Sequence, residues 1–451
     1  MGKNKLFRDV VLPPMGYRRR LLELGKDLLI VLLLLSACYL AARSQLYTGL
    51  MDGDGLLSRA VTLFTGTDQT DPVETDPTVP AEGIQAVRLA VCHGLGESGQ
   101  PIRYGVQYDA AQAGTDFSAL SNYLFEAAAS AADPQVVSQL EWLQALQSPG
   151  VYFDLLGNVP LDYLGSSSRT DPVRRLALVW EGGPTARLYY KNETSGLYYS
   201  CGTSVQWEGY LAHALEDYTD NGARFAFELE GSGCESLQSE TLIFPQAPQP
   251  GLYQVQTVLD LNDAASRTAL ENALGFRGAD YPVPGEWVIR EEDELRISAD
   301  GTLVYEAASE SLEPRYQAGS RTQAVALAFH LTQAAVEAWC GGVQSSGQLC
   351  LSEVQEDGET LSITLNYTLD GAEVYLSGGR PAASFTVSGG QITAFEIHPR
   401  CYVPAEGSSS VLPERQAAAA LAAVSPEARR ELLLFYEEED GSPMAARWGG
   451  F

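Results

Sequence analysis

Leu28–Ala42 reads LLIVLLLLSACYLAA, fifteen residues without a charge, and its reading decides the architecture of everything that follows. At about 1.5 Å of rise per residue, a helix of this length falls short of the roughly 30 Å hydrocarbon core of a bilayer. Leu21, Leu22 and Leu24 before it and Leu46 after it extend the apolar stretch, and the stems of Lys26 and Arg43 reach toward the headgroups. The segment 28–43 is therefore expected to be a single transmembrane helix. Lys3, Lys5, Arg8, Arg18, Arg19, Arg20 and Lys26 precede it, against Asp9, Glu23 and Asp27. By the positive-inside rule, 1–27 is a cytoplasmic tail whose topology is set by Arg18, Arg19, Arg20 and Lys26, and the remainder is exported. A cleaved signal would need a better small-residue site than Ala37, Ala41 and Ala42 offer. Leu35-Ser36-Ala37-Cys38 has the form of a lipobox, yet the apolar run continues past Cys38 and the preceding region is long. An uncleaved anchor is the expectation.

Along that helix Ser36, Ala37, Ala41 and Ala42 are small, beside Val31, Leu32, Leu35 and Tyr39. Helices in lipid associate by packing small and apolar side chains closely, so this set is the candidate helix-pairing face.

The 451 residues have ordinary hydrophobic (45%) and aromatic (9%) content, enough for two or three domains with proper cores. The charge is not ordinary. From Arg43 onward, 22 Lys and Arg face 55 Asp and Glu, and Lys191 is the only lysine. Such a surface repels nucleic acid and anionic lipid, so both are poor partners for the exported part, and no nucleic acid is expected. Six cysteines follow the span, at 92, 201, 234, 340, 350 and 401. Export permits disulfides; Cys340 and Cys350, joined by a glycine-rich loop, are the candidate pair, with buried free thiols as the alternative. No CxxC occurs, and no metal or cofactor is expected.

Residues 44–83 contain TGTDQTDPVETDPTVPAEG at 65–83 and read as a stalk, too poor in large apolar residues to bury a core. A first α+β domain is expected over 84–245. Its strands are at 84–91, 102–108, 174–180, 185–190, 196–201 and 223–229, with helices ending near Ala129 (capped by Asp116), at 134–146 and at 206–217. A second α+β domain is expected over 251–400. Helix 262–274 opens it, strands 286–290, 294–298 and 302–306 follow with Asp300-Gly301 as a hairpin turn, and RTQAVALAFHLTQAAVEAWC at 321–340 forms the longest helix. There Val325, Ala328, Phe329, Val336 and Trp339 share one face, broadened by Leu327, Leu331 and Ala338. A stripe that wide packs on a sheet, supplied by strands at 349–355, 360–369, 372–376, 382–387 and 391–397. Residues 401–451 read as a helical segment with helices at 413–423 and 426–436. The fold class is thus α+β: an N-terminal transmembrane helix, then two exported domains of mainly antiparallel sheet with packed helices.

Catalytic motifs are scarce. There is no phosphate loop, nucleophile elbow, HExxH or EF-hand loop. Cys92-His93 lies beside a glycine loop, but neighbours on a strand point to opposite faces and do not pair readily. His330 reads as a core or rim residue of its helix. The acid runs Glu291–Glu294 and Glu437–Asp440 read as solvated loops, and Tyr189, Tyr190, Tyr198 and Tyr199 as cross-strand packing.

Over LGFRG (274–278), ELRISADGTLVYE (294–306) and the long helix and strands after them, together with the anchor, the chain resembles the YycH/YycI group of regulators. The resemblance implies a non-enzymatic role. Such proteins bind an essential cell-wall sensor histidine kinase through the transmembrane helix and exported domains and modulate it, with no catalytic residues to carry over. The expected protein is therefore a single-pass, extracytoplasmic regulatory protein of the cell membrane, its partner a sensor histidine kinase or another membrane protein. The competing expectation is a membrane-tethered cell-envelope enzyme or ligand-binding protein.

Overall fold

The computed structural model describes residues 83–451 apart from 166–168, 230, 258, 309–314, 425–429 and 440–442. The tail, the anchor with its candidate pairing face and nearly all of the stalk lie outside the described residues. No helix among the described residues is long and apolar enough to cross a membrane.

The first half builds one antiparallel sheet. Its strands are β1 (Arg88–Leu95), β2 (Pro101–Gln107), β3 (Ala132–Val137), β4 (Gly150–Pro160), β5 (Pro172–Val179), β6 (Thr185–Asn192) and β7 (Tyr198–Gln206), hydrogen-bonded in the order β2-β1-β4-β5-β6-β7-β3. Helix α1 (Ala110–Ser130) buries Ala113, Phe117, Leu120, Leu124, Ala127 and Ala128, the three-and-four spacing of a core-facing stripe. It starts six residues before the expected cap: Asp109 accepts from the Gln112 N–H, while Asp116 lies buried inside the helix and accepts from the Tyr104 hydroxyl at 2.7 Å.

The helix expected over 134–146 is split. Residues 132–137 form the edge strand β3, where a register shift between Ala132 and Gln135 accommodates Pro134, which has no N–H to give a ladder. Helix α2 (Gln139–Ala145) begins only at Ser138, whose hydroxyl and Glu141 make a reciprocal capping box. α3 (Leu161–Leu164) follows β4, and after β7 the helix expected over 206–217 reduces to a π-turn, Trp207–Leu211, and the short α4 (Ala212–Leu215). The strand expected over 223–229 is only β8 (Arg224–Phe225), paired with β9 (Leu242–Ile243). Beyond Phe225 the chain coils back so that Glu228 accepts from the Phe225 N–H.

In the second half, β10 (Gly251–Val255) precedes α5 (Ala264–Ala273), capped by Asp263 rather than Asn262. The strands β11 (Asp280–Val283), β12 (Glu286–Arg290), β13 (Glu294–Ser298) and β14 (Leu303–Glu306) form a meander. Then comes α6 (Arg321–Cys340), with the expected bounds and with Val325, Ala328, Phe329, Leu331, Val336 and Trp339 all buried. The hairpin turn at Gly301 lies so close to α6 that a Cβ there would stand 2.4 Å from the Trp339 ring. β15 (Gln348–Asp357), β16 (Thr360–Leu369), β17 (Ala372–Tyr375), β18 (Ala383–Ser388) and β19 (Gln391–Ile397) complete the sheet, β19 pairing with β14. The two sheets meet where β15 runs parallel to β4, with Glu353 opposite Asn158. Gly157 permits that approach, since a Cβ on it would lie 1.9 Å from the Leu351 carbonyl oxygen.

Residues 401–451, expected to be helical, are mostly strand. β20 (Tyr402–Ser408) pairs with β10, α7 (Glu414–Val424) is the one helix there among the described residues, and β21 (Leu432–Glu437), β22 (Met444–Ala445) and β23 (Arg447–Gly450) follow. β21 slots in parallel beside β17 and antiparallel to β23. Leu432, Leu433, Leu434 and Tyr436 are all buried. A strand covered on both sides carries no alternation, and a short apolar run of that kind cannot be told from a helix by its period. The fold is thus mixed α+β around a large, mainly antiparallel sheet.

Candidate functional site

A buried knot of charge marks the place where β21 meets the first sheet. Arg88 on β1 donates to Asp154 on β4 at 2.7 Å. Arg174 on β5 holds Asp154 through Nε at 2.8 Å and Nη2 at 3.0 Å, and holds Glu431 with both terminal nitrogens at 2.9 and 2.6 Å. Arg175 donates to Glu431 at 2.8 Å and faces Glu193 and Glu240 at 3.5 and 3.6 Å. Consecutive strand residues normally face opposite ways, but the β5–β6 register slips between Val173 and Leu176, so that Arg174 and Arg175 both reach one carboxylate. Burial alone would raise the Asp154 carboxyl; Arg174 and Arg88 overcome it and hold the group far below the usual carboxylate range. Burial opposes ionisation of Glu431 as well, and Arg174, Arg175 and Arg88 again win, so its affinity for a proton is lowered. Every acid in this knot is matched by a guanidinium, which suits a clasp better than proton transfer.

A second buried pair lies under the β1–β2 hairpin. Arg103, fully buried, is held by both carboxylate oxygens of Glu228, donates to the Leu146 carbonyl at 2.8 Å and lies 4.5 Å over the Phe225 ring. Cys92 is beside it, 3.9 Å from Arg103 Nη2, and its thiol donates to the Gln147 carbonyl at 3.4 Å. Burial raises the Cys92 thiol above its ordinary value despite Arg103. His93 turns the other way, its Nε2 2.6 Å from the Tyr218 carbonyl oxygen. The two residues are thus separated as strand geometry requires, and His93 is not placed to serve Cys92 as a base.

An open groove of about 280 Å³ runs past the start of α6, between the turns at Gly358 and Gly389-Gly390. Its one basic side chain, Arg321, is occupied by Glu356 at 2.5 Å. No group of His, Cys, Asp and Glu among the described residues is disposed to hold a metal ion.

The remaining sequence candidates divide. Asp293 is not a solvated loop acid: it is buried, accepting from the Tyr305 hydroxyl at 3.0 Å, the Ala308 N–H at 2.9 Å and Arg315 Nε at 3.3 Å. Glu437 and Glu439, by contrast, are exposed and paired with Arg447. Tyr190 stacks on Tyr199 across the β6–β7 pair at 5.4 Å, and Tyr198 stacks on Trp142 at 5.7 Å, as cross-strand and core packing. Cys340 and Cys350, the candidate disulfide, are both free thiols. Cys350 stands opposite Asn366 in the β15–β16 ladder and its thiol donates to that residue's carbonyl at 3.5 Å, so it is engaged within the sheet rather than with the end of α6. The charge knot was invisible in the sequence, because its members come from four separated stretches and each alone reads as an ordinary surface charge.

No protein-family profile matches the chain, and no curated protein matches it. Among solved structures, the chain is similar to the crystal structure of YycH from Bacillus subtilis at 11% identity and a TM-score of 0.47, over 83% of this chain and 94% of that one. The likeness is one of fold and is silent on function.

Proposed function

We propose that the chain is a membrane-anchored, extracytoplasmic regulatory protein that modulates a two-component sensor histidine kinase through its transmembrane helix and its exported part. The observation that carries this reading is the uncharged run Leu28–Ala42 behind seven basic residues, followed by a strongly acidic remainder. In it, the helix spans the membrane with its amino end in the cytoplasm and pairs with a kinase span through the face containing Ser36, Ala37, Ala41 and Ala42. The halves expected as domains 84–245 and 251–400 act as one exported body, since β4 and β15 share a pairing. The resemblance of residues 274–306 to YycH/YycI-like domains supplies the kinase as the partner. The way the buried charges neutralise one another supports an interaction protein over an enzyme: Asp154, Glu431 and Glu228 are each held by arginine.

Scrambling residues 31–42 at constant hydrophobicity, in the full chain expressed in its native membrane, tests the reading. Loss of kinase co-purification is the expected result; undiminished pairing overturns it. Protease added outside intact cells is expected to cut beyond residue 90, and protection there would overturn the topology.

A further inference from the structure

We infer that α7 is a proton-dependent latch: it docks with Glu414 as the neutral acid and loosens from β2 and β9 as its surroundings turn alkaline. The inference goes beyond the kinase reading and needs no partner. Glu414 opens α7 and is 2% exposed, yet its hydrogen-bond donors among the described residues are two uncharged amides. Gln107 on β2 donates to Oε1 at 2.6 Å, and the Phe244 N–H, just past β9, donates to Oε2. Gln107 is fixed in that role, since the same nitrogen donates to the Leu242 carbonyl at 3.1 Å. Asp154, Glu431 and Glu228 are also buried, and each of them is held by arginine. Little else holds the helix down. Besides Glu414, α7 buries Ala417 and Ala418, which share a core with Cys234, Leu237, Ile243 and Leu432, while Leu421 is half-buried at its rim. Two alanines contribute little apolar burial, so the state of the carboxyl governs the docking.

The charged and titratable groups around Glu414 leave its carboxyl unanswered. Arg88 on β1 acts on it, but Arg88 donates to Asp154 at 2.7 Å and lies 3.6 Å from Glu431. Tyr108, following β2, lies in the field of Glu414 and Glu431, and burial keeps its hydroxyl protonated. Glu431 itself is taken by Arg174 and Arg175. In the core under α7, Cys234 is a free thiol; beside it Arg430, bridged to Leu237, donates to the Gly450 carbonyl. Arg415, next along α7, is exposed. Burial therefore raises the Glu414 carboxyl from the ordinary 4.5 to about 8, the amide donors and Arg88 offsetting only part of it. The docked helix keeps the proton where a released helix gives it up. Docking is thus at full strength below about pH 4.5, weakens as pH rises and stops weakening above about 8.

The test is alkylation of Cys234 in the full chain in detergent, with a reagent slow enough to read the equilibrium, mapped by mass spectrometry. Dividing the rate by that of Glu414→Gln at the same pH removes the titration of the thiol itself. The ratio is expected to rise by about tenfold or more between about pH 5.5 and 7.5 and to level off above about pH 8. A ratio that stays flat or falls with pH overturns the inference. Cys201, buried in the other core at 0% exposure, is the internal standard, and an equal rise there marks general loosening and counts against a latch. Should Glu414→Gln fail to fold, the Cys234-to-Cys201 ratio within the wild type must climb over the same window. Gln107→Lys, which sets an ammonium against the carboxylate so that α7 docks in its ionised form, is expected to suppress the rise. An undiminished rise in that variant also overturns the inference.

Discussion

The sheet around α6 and the junction around β5 and β21 are held by opposite means. Around α6 the cohesion is apolar: Val325, Phe329, Leu331, Val336 and Trp339 are buried on the helix, and Tyr305, Tyr316 and Phe395 pack ring on ring beneath. At the junction, three arginines and the carboxylates Asp154 and Glu431 lie inside the protein with their hydrogen bonds made among themselves. Apolar burial is non-directional and tolerates small errors of placement. A buried ion pair costs more to desolvate than it returns unless the geometry is right, so it stabilises one arrangement against others rather than adding much net stability. The junction therefore specifies where β21 goes, while the α6 half supplies cohesion.

The sharpest way to break that contrast is Glu431→Ala, which leaves Arg174 and Arg175 without their shared carboxylate. Destabilisation of about 4 kcal/mol is expected in denaturant unfolding, with little dependence on salt because the site is buried. A loss below about 1 kcal/mol would make the knot a surface feature. Leu331→Ala, on the apolar side, is expected to cost about 3 kcal/mol through lost burial and a cavity. Unlike the Glu431 change, it should leave the local protection of β21 from hydrogen exchange close to that of the wild type.

His398 provides a pH-dependent probe of the sheet. It is buried, its Nδ1 3.1 Å from the Thr302 hydroxyl, and burial together with Arg380 and Arg400 lowers its proton affinity from the ordinary 6.5 to about 4. The folded protein keeps it neutral where the unfolded chain would bind a proton. Its contribution is therefore complete above pH 6.5 and lost as pH falls toward about 4. Relative to His398→Gln, the wild type is expected to lose up to about 3 kcal/mol across that window; parallel pH profiles would refute this. The smallest effect expected is Ser320→Ala, about 1 kcal/mol for the lost N-cap of α6, read as a lowered Cm at unchanged m.

The same contrast explains what could be read from the residues. α6 was legible to its ends from an apolar stripe at helical spacing, and the structure adds a Ser320 cap at its start and a left-handed Gly341 at its end. So was the turn at Asp300-Gly301, where composition states the backbone conformation. β21 was misread because LLLFYE, buried from both sides, has lost the alternation that identifies a strand. The charge knot was unreadable for a different reason: Arg174 and Glu431 are 257 residues apart, and nothing local distinguishes either from a solvated side chain.

The insertion of β21 beside β17 bears on how the molecule is made. Until residues 432–437 arrive, β17 lacks its parallel neighbour, and Arg174 and Arg175 have no Glu431 to answer them. With more than four hundred residues delivered, the sheet is still unfinished, and Arg174 and Arg175 lack the one carboxylate they share. Completion of the sheet thus waits on residues 432–437, so a stop codon just before them should be far more damaging than the small share of the sheet they form suggests.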